Sequence, residues 1–257
     1  MRYAVRLLAG VRHGGAGRQT GEPMIDECRD DAVTWLTFDR PDRLNAFTAA
    51  DYRSLHLALA RLAADPRTRV VVVTGSGRAF SAGADRSLLA GGEDESRRRA
   101  GEEFDRLIAA LSDFPKPLFA AVNGLAVGFG ATLLLYCDVI VAAESARFRL
   151  PFTSMGLVPE AGSSALLPTR MRWADAMWSV LSSEWFSAAD AQRSGLVWRV
   201  VAEQDVAAVA SEAAARVAAR DPAAVSAAKR LMTAGRGPAV DRAMARELDE
   251  MKSLFDR

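Results

Sequence analysis

Histidine is nearly missing from this chain: His13 and His56 are its only two among 257 residues. One falls in the arginine-bearing first segment and the other in an expected helix, so neither a histidine-based triad nor a zinc site can be assembled. Cysteine is as scarce. Cys28 and Cys137 stand far apart, within or leading into expected strands. They read as small core residues of a reducing compartment, which favours a cytoplasmic location. No apolar run approaches the roughly 20 residues needed to cross a bilayer. Net charge is missing too, since 33 basic and 32 acidic residues nearly cancel, and nothing points to nucleic acid or a membrane surface as a partner. What remains is a chain that is 50% hydrophobic and 25% charged, long enough for a substantial globular core.

The stretch from Val70 to Glu160 organises the rest. Four valines, Val70 to Val73, run into Thr74-Gly75-Ser76-Gly77 and then Arg78-Ala79-Phe80-Ser81-Ala82-Gly83-Ala84-Asp85. β-branched residues suit a strand buried on both faces, and the glycines end it. A second passage repeats the form: Pro117 to Val122, followed by Asn123-Gly124-Leu125-Ala126-Val127-Gly128-Phe129-Gly130. The first amides of a helix opened by such a turn lack intrahelical partners. Two turns of this kind, side by side, could aim two N–H groups at one oxygen, as a developing oxyanion requires. Neither is a phosphate fingerprint, because no third glycine at dinucleotide spacing and no Gly-Lys-Ser or Gly-Lys-Thr follows.

Around this centre the elements read in order. Asp30-Asp31 turns a strand pair, Thr48 caps a helix carrying Tyr52, Leu55, Leu59 and Leu62, and Asp65-Pro66 ends it. The charged run from Gly91 to Arg99 reads as a mobile loop, followed by a helix with Phe104, Leu107, Ile108 and Leu111 on one face. Ala131 to Tyr136 suits a helix buried all round, and Asp138 to Ala143 another buried strand. From Trp173 onward helices dominate, with Ser187 as a cap and amphipathic segments over 206–219, 222–232 and 238–255. Residues 1–23 are expected to be a flexible leader, or to precede a natural start near Met24.

Asn45-Ala46, the run Ala79 to Asp85, Asn123-Gly124 with its glycine turn, and Gly156-Leu157-Val158-Pro159-Glu160-Ala161-Gly162 resemble the crotonase (enoyl-CoA hydratase/isomerase) family from about Val33 to the end. The resemblance implies an α/β fold: a ββα spiral core over 24–200 with a helical assembly region over 201–257, forming a homotrimer or a dimer of trimers. It also implies an acyl-CoA thioester as substrate and no cofactor beyond the CoA the substrate carries, with no metal. The oxyanion amides would come from Ala84 and Phe129. Arg43, Leu44, Ala82, Ala84, Asp85 and Arg86 would face CoA, and Phe129, Thr132 and Phe152 the acyl part; Arg43 reads equally as a solvated turn arginine.

Crotonase-type hydratases use two glutamates, and both positions differ here. Three residues beyond the Phe129 amide stands Thr132, and the Phe-x-x-Pro-Glu segment becomes Phe148-Arg149-Leu150-Pro151-Phe152. Neither can be a carboxylate base. Glu160 supplies one carboxylate elsewhere, and this combination looks like the Δ3,Δ2-enoyl-CoA isomerase branch. There one glutamate moves a proton from C2 to C4 of a 3-enoyl thioester while two amides hold the dienolate oxygen. By residue type alone Glu160 also suits the first turn of a helix. Phe152 beside it should exclude water and raise its pKa. The resemblance leaves a hydratase, an isomerase of a ring-derived thioester and an inactive acyl-CoA-binding member as alternatives. Lys229, Arg230 and Lys252 could reach a neighbour's CoA phosphates or lie on a solvated face.

Overall fold

The structure is a computed structural model and describes residues 24–89 and 94–255; the expected leader and part of the polar run after Arg86 lie outside it. Among the described residues ten strands form two sheets. β1 (Ile25–Asp30) and β2 (Val33–Phe38) make an antiparallel hairpin about the expected acidic turn, where Asp31 takes a left-handed φ of 55°. β3 (Val70–Gly75), β5 (Leu118–Val122), β7 (Val139–Ala143) and β10 (Arg199–Val201) then add in parallel, giving the order β1-β2-β3-β5-β7-β10. β4 (Ala79–Ser81), β6 (Leu125–Val127), β8 (Arg147–Arg149) and β9 (Phe186–Ser187) form the second sheet in that order. Three successive passes, β3–β4, β5–β6 and β7–β8, each place one strand in each sheet before a helix follows. That is a ββα spiral.

Helix α1 (Ala49–Ala64) starts at a reciprocal cap: Thr48 accepts from the Asp51 amide and the Asp51 carboxylate accepts from the Thr48 amide. Its buried Tyr52, Leu55, Leu59 and Leu62 pack on the core. α2 (Arg86–Leu89) is a single turn, and α3 (Asp94–Ser112) crosses α1. The charged run was expected to be a loop as far as Arg99, yet α3 begins at Asp94. Arg98–Glu102 and Arg106–Glu103 pairs at helical spacing support the extra turn. α4 (Phe129–Thr132) continues as a 3-10 turn through Tyr136, buried throughout as expected.

The remaining helices are α5 (Ser163–Arg170), α6 (Trp173–Ser182), α7 (Ala188–Ser194), α8 (Val206–Ala218), α9 (Pro222–Thr233) and α10 (Arg236–Phe255). Ser187 caps α7 with Asp190 in the same reciprocal way as Thr48 and Asp51. The alanine-rich face of α8 lies against β3, β5 and β7, which is why the valines of β3 are buried on both sides. Lys229 of α9 is buried, donating to Asp138 Oδ2 and the Lys116 carbonyl at 2.7 Å each. It ties α9 to the sheet and is not free to meet a neighbour's ligand; Arg230 and Lys252 are exposed.

Candidate active site

The site is built where the strand ends β3–β4 and β5–β6 turn beside each other. Asn45, itself buried with φ 55°, clamps the first loop: its amide donates to the carbonyls of Ser76 and Ala79, and its Oδ1 accepts from the Arg40 amide. Ser81 donates to the Asn45 carbonyl, and the Ala82 amide to the Leu44 carbonyl at 2.9 Å. Under this loop lies the Arg40–Asp51 ion pair, at 2.7 Å, with the Asp51 side chain fully buried. These bonds bring Arg43, Leu44, Ala82, Ala84, Asp85 and Arg86 to one rim. Arg43 and Arg86 are exposed, Leu44 and Asp85 half-buried. Burial opposes ionisation of Asp85, but the Ser87 amide and hydroxyl and the Arg43 and Arg40 charges outweigh it and hold the carboxyl below its usual range.

Two glycines fasten the loops together. A Cβ at Gly83, whose φ is +86°, would come 2.6 Å from the Val127 carbonyl oxygen and 3.1 Å from the Phe129 amide nitrogen. One at Gly130 would meet the Ser81 carbonyl oxygen at 2.3 Å. Only glycine allows that approach. Phe47 pairs across Ala84, donating to the Gly83 carbonyl and accepting from the Asp85 amide, so the Ala84 N–H faces away from that bridge. Phe129 opens α4, where a first-turn amide has no partner within the helix. Among the described residues, neither amide donates to a protein acceptor.

Glu160 stands on the turn that leads into α5. Thr132 donates from its hydroxyl to Glu160 Oε1 at 2.7 Å, so the residue in the first hydratase-glutamate position holds the carboxylate instead of replacing it. Phe152 is buried. The glutamate as a residue keeps partial solvent contact, while its carboxyl group lies in protein-dense surroundings. Burial pushes its pKa up from 4.5 to about 8; the Thr132 hydrogen bond opposes the rise, and the charge of Glu247 adds to it. The Phe129 ring meets Phe47, Tyr52 and Phe104 edge-on, at centroid distances of 5.1, 5.3 and 5.3 Å. α3 thereby joins the wall through Phe104.

Sequence reading passed over Tyr136 and Tyr52. Tyr136 donates to the Ala161 carbonyl at 2.6 Å, fixing the residue after Glu160, and Tyr52 lies in the aromatic wall near the Glu160 charge. Burial raises both phenols, which stay neutral. A signal existed: a tyrosine ending a wholly apolar run needs a buried partner for its hydroxyl.

The two sheets, wound as ββα passes whose glycine turns abut at Gly83 and Gly130, define the crotonase class of α/β enzyme. A profile for enoyl-CoA hydratase/isomerase matches residues 29–257, and the chain belongs to that family. A probable enoyl-CoA hydratase of Rhodobacter capsulatus is 42% identical over 66% of this chain and 65% of its own. The 1,2-epoxyphenylacetyl-CoA isomerase of Escherichia coli is 37% identical over 72% of each. Enoyl-CoA delta isomerase 2 of Rattus norvegicus is 36% identical over 74% of this chain, a match spanning 49% of the rat protein. An enoyl-CoA hydratase/isomerase crystal structure from Pseudoalteromonas atlantica superposes with a TM-score of 0.84 at 34% identity, covering 91% of this chain and 92% of the other. Hydratases and isomerases thus both stand among the relatives.

Proposed function

We propose that this enzyme isomerises 3-enoyl-CoA to 2-enoyl-CoA in fatty-acid degradation. The observation that carries the reading is Glu160: one carboxylate, hydrogen-bonded by Thr132 and raised to about 8. The thioester oxygen is received by the Ala84 and Phe129 N–H groups. Glu160 takes a proton from C2, negative charge spreads onto that oxygen as a dienolate, and the same carboxyl returns the proton at C4. One group suffices because one proton leaves and one returns. Hydration would need a second acid/base group, and Thr132 and Phe152 occupy the places where one would stand. The nucleotide end of CoA lies along the Arg43–Leu44 and Ala82–Arg86 rim.

A ring-derived CoA thioester is the second reading. The Tyr52, Phe104 and Phe129 rings offer edges and faces suited to an aromatic acyl group, and the Escherichia coli relative acts on such a compound by its name. We further infer self-association into trimers, supported by large apolar side chains left in solvent on α6, α9 and α10: Trp173, Trp178, Leu181, Leu231, Met232 and Phe255.

The experiment is to supply purified protein with a 3-enoyl-CoA and, separately, a 2-enoyl-CoA, following conjugated-thioester absorbance for wild type and Glu160→Gln. Conjugation appearing from the first, lost in the variant, with little hydration of the second, supports the isomerase. Conjugation lost from the second with the first untouched overturns it.

A further inference from the structure

The turn that carries Glu160 is strained and has no cap of its own. Ala161 takes φ +58° with a side chain present, and Gly162 follows at +66°. Consecutive left-handed residues survive only where the surroundings hold them. Gly162 stands at the N-cap of α5 and offers no side chain to accept from the helix's first amides. The acceptor comes from the far end of the chain. Glu247 of α10, 8% exposed, receives the Gly162 amide on Oε2 and the Ser164 amide on Oε1, both at 2.9 Å. Val240, two turns earlier on the same helix face, presses on the turn: a Cβ at Gly162 would lie 2.8 Å from its Cγ1.

We propose that Glu247 is a positioning residue for Glu160, making the last helix part of the catalytic apparatus as well as an assembly element. It caps α5 from outside and straddles the residues following Glu160, while Tyr136 holds the carbonyl between them. A carboxylate suits this place because two parallel N–H groups at a helix N-terminus attract negative charge. Among the described residues no lysine or arginine forms an ion pair with Glu247, so its charge is felt nearby.

The groups facing Glu160 are few. α1 contributes the Tyr52 phenol, the α4 segment the Thr132 hydroxyl and the Tyr136 phenol, and α10 Glu247, with Arg236 and Asp241 acting on Tyr136. Both phenols are neutral, so Glu247 is the charged neighbour whose removal would be read by Glu160. Its negative charge disfavours a second carboxylate nearby and keeps Glu160 protonated to higher pH.

The role of Glu160 as base belongs to the proposed isomerase reading, but the test of Glu247 does not require turnover. Carboxyl 13C titration of glutamate-labelled protein, with Glu160 assigned through Glu160→Gln, is compared between wild type and Glu247→Gln. The expected result is a downward move of the Glu160 titration in Glu247→Gln, with kcat down at least tenfold and KM within about twofold on the 3-enoyl-CoA. Val240→Ala loosens the same helix without removing charge, so it should lower the melting temperature and leave the titration in place. An unmoved Glu160 titration in folded Glu247→Gln overturns the proposal, as does an equal move in Val240→Ala. Should Glu247→Gln not fold, Glu247→Asp keeps the charge one methylene short of both amides: a tenfold loss of kcat at an unchanged melting temperature supports the proposal, and undiminished kcat overturns it. A titration that moves in a protein inactive on 3-enoyl-CoA would sink the isomerase reading alone.

Discussion

The Thr132 hydroxyl donates to Glu160 Oε1 at 2.7 Å, joining the first turn of the buried α4 helix to the turn before α5. The bond favours the charged carboxylate and partly offsets its burial. Thr132→Val should therefore move the acid limb of turnover upward, lowering activity a few-fold at pH 7 and much less at pH 9. A kcat–pH profile that superposes on wild type would contradict this.

Glu160 must be ionised to accept a proton from C2, and its pKa is raised to about 8. Turnover should rise about tenfold per pH unit below that value and level off above it. Glu160→Gln should cost roughly 10²–10⁴-fold in kcat at pH 8, measured on a 3-enoyl-CoA.

The same group makes stability depend on pH. Between 4.5 and about 8 the folded protein keeps a proton on Glu160 that the unfolded chain has released. The native state then binds more protons, so stability falls as pH rises through this window. Glu160→Gln removes the effect. Its melting temperature should exceed that of wild type at pH 8.5, with a smaller gap at pH 5.

Gly83→Ala would drive a methyl group toward the Val127 carbonyl and the Phe129 amide, at a left-handed φ. The loops must separate, and with them the two free amides. Loss of one such donor is worth about 10²–10³ in kcat. Circular dichroism should show a retained fold, with the loss in kcat and not in KM alone.

Lys229 and Asp138 pair at 2.7 Å with the lysine side chain 7% exposed. Lys229→Ala would remove the cation that ties α9 to Asp138, whose side chain is 25% exposed and still accepts from the Leu118 amide, at a cost of about 1–2 kcal/mol. A drop of a few degrees in melting temperature is expected, without a change in the Glu160 pH profile.

Periodicity and local chemistry were enough for much of this molecule. The valine strand, the Asp30-Asp31 hairpin, the caps at Thr48 and Ser187 and the terminal helices depend on residues close together in sequence, and they stand where the pattern places them. α3 starts at Asp94 and not beyond Arg99 because a charged run with an i,i+4 pair such as Arg98–Glu102 favours a helix over a loop. It was the family resemblance, and no spacing rule, that singled out Glu160, Thr132, Ala84 and Phe129 as one expected constellation.

What no local pattern could hold is the set of contacts that makes those residues a site. Thr132 meets Glu160 across 28 positions, Asn45 ties a loop to carbonyls more than 30 positions away, and Glu247 reaches the Gly162 amide across 85. Lys229 looked like a surface cation until the sheet closed over it. Such relationships depend on which elements the winding of the spiral lays side by side. Sequence alone determined the elements and the chemistry available; tertiary packing decided which carboxylate is buried, which is held, and which does the holding.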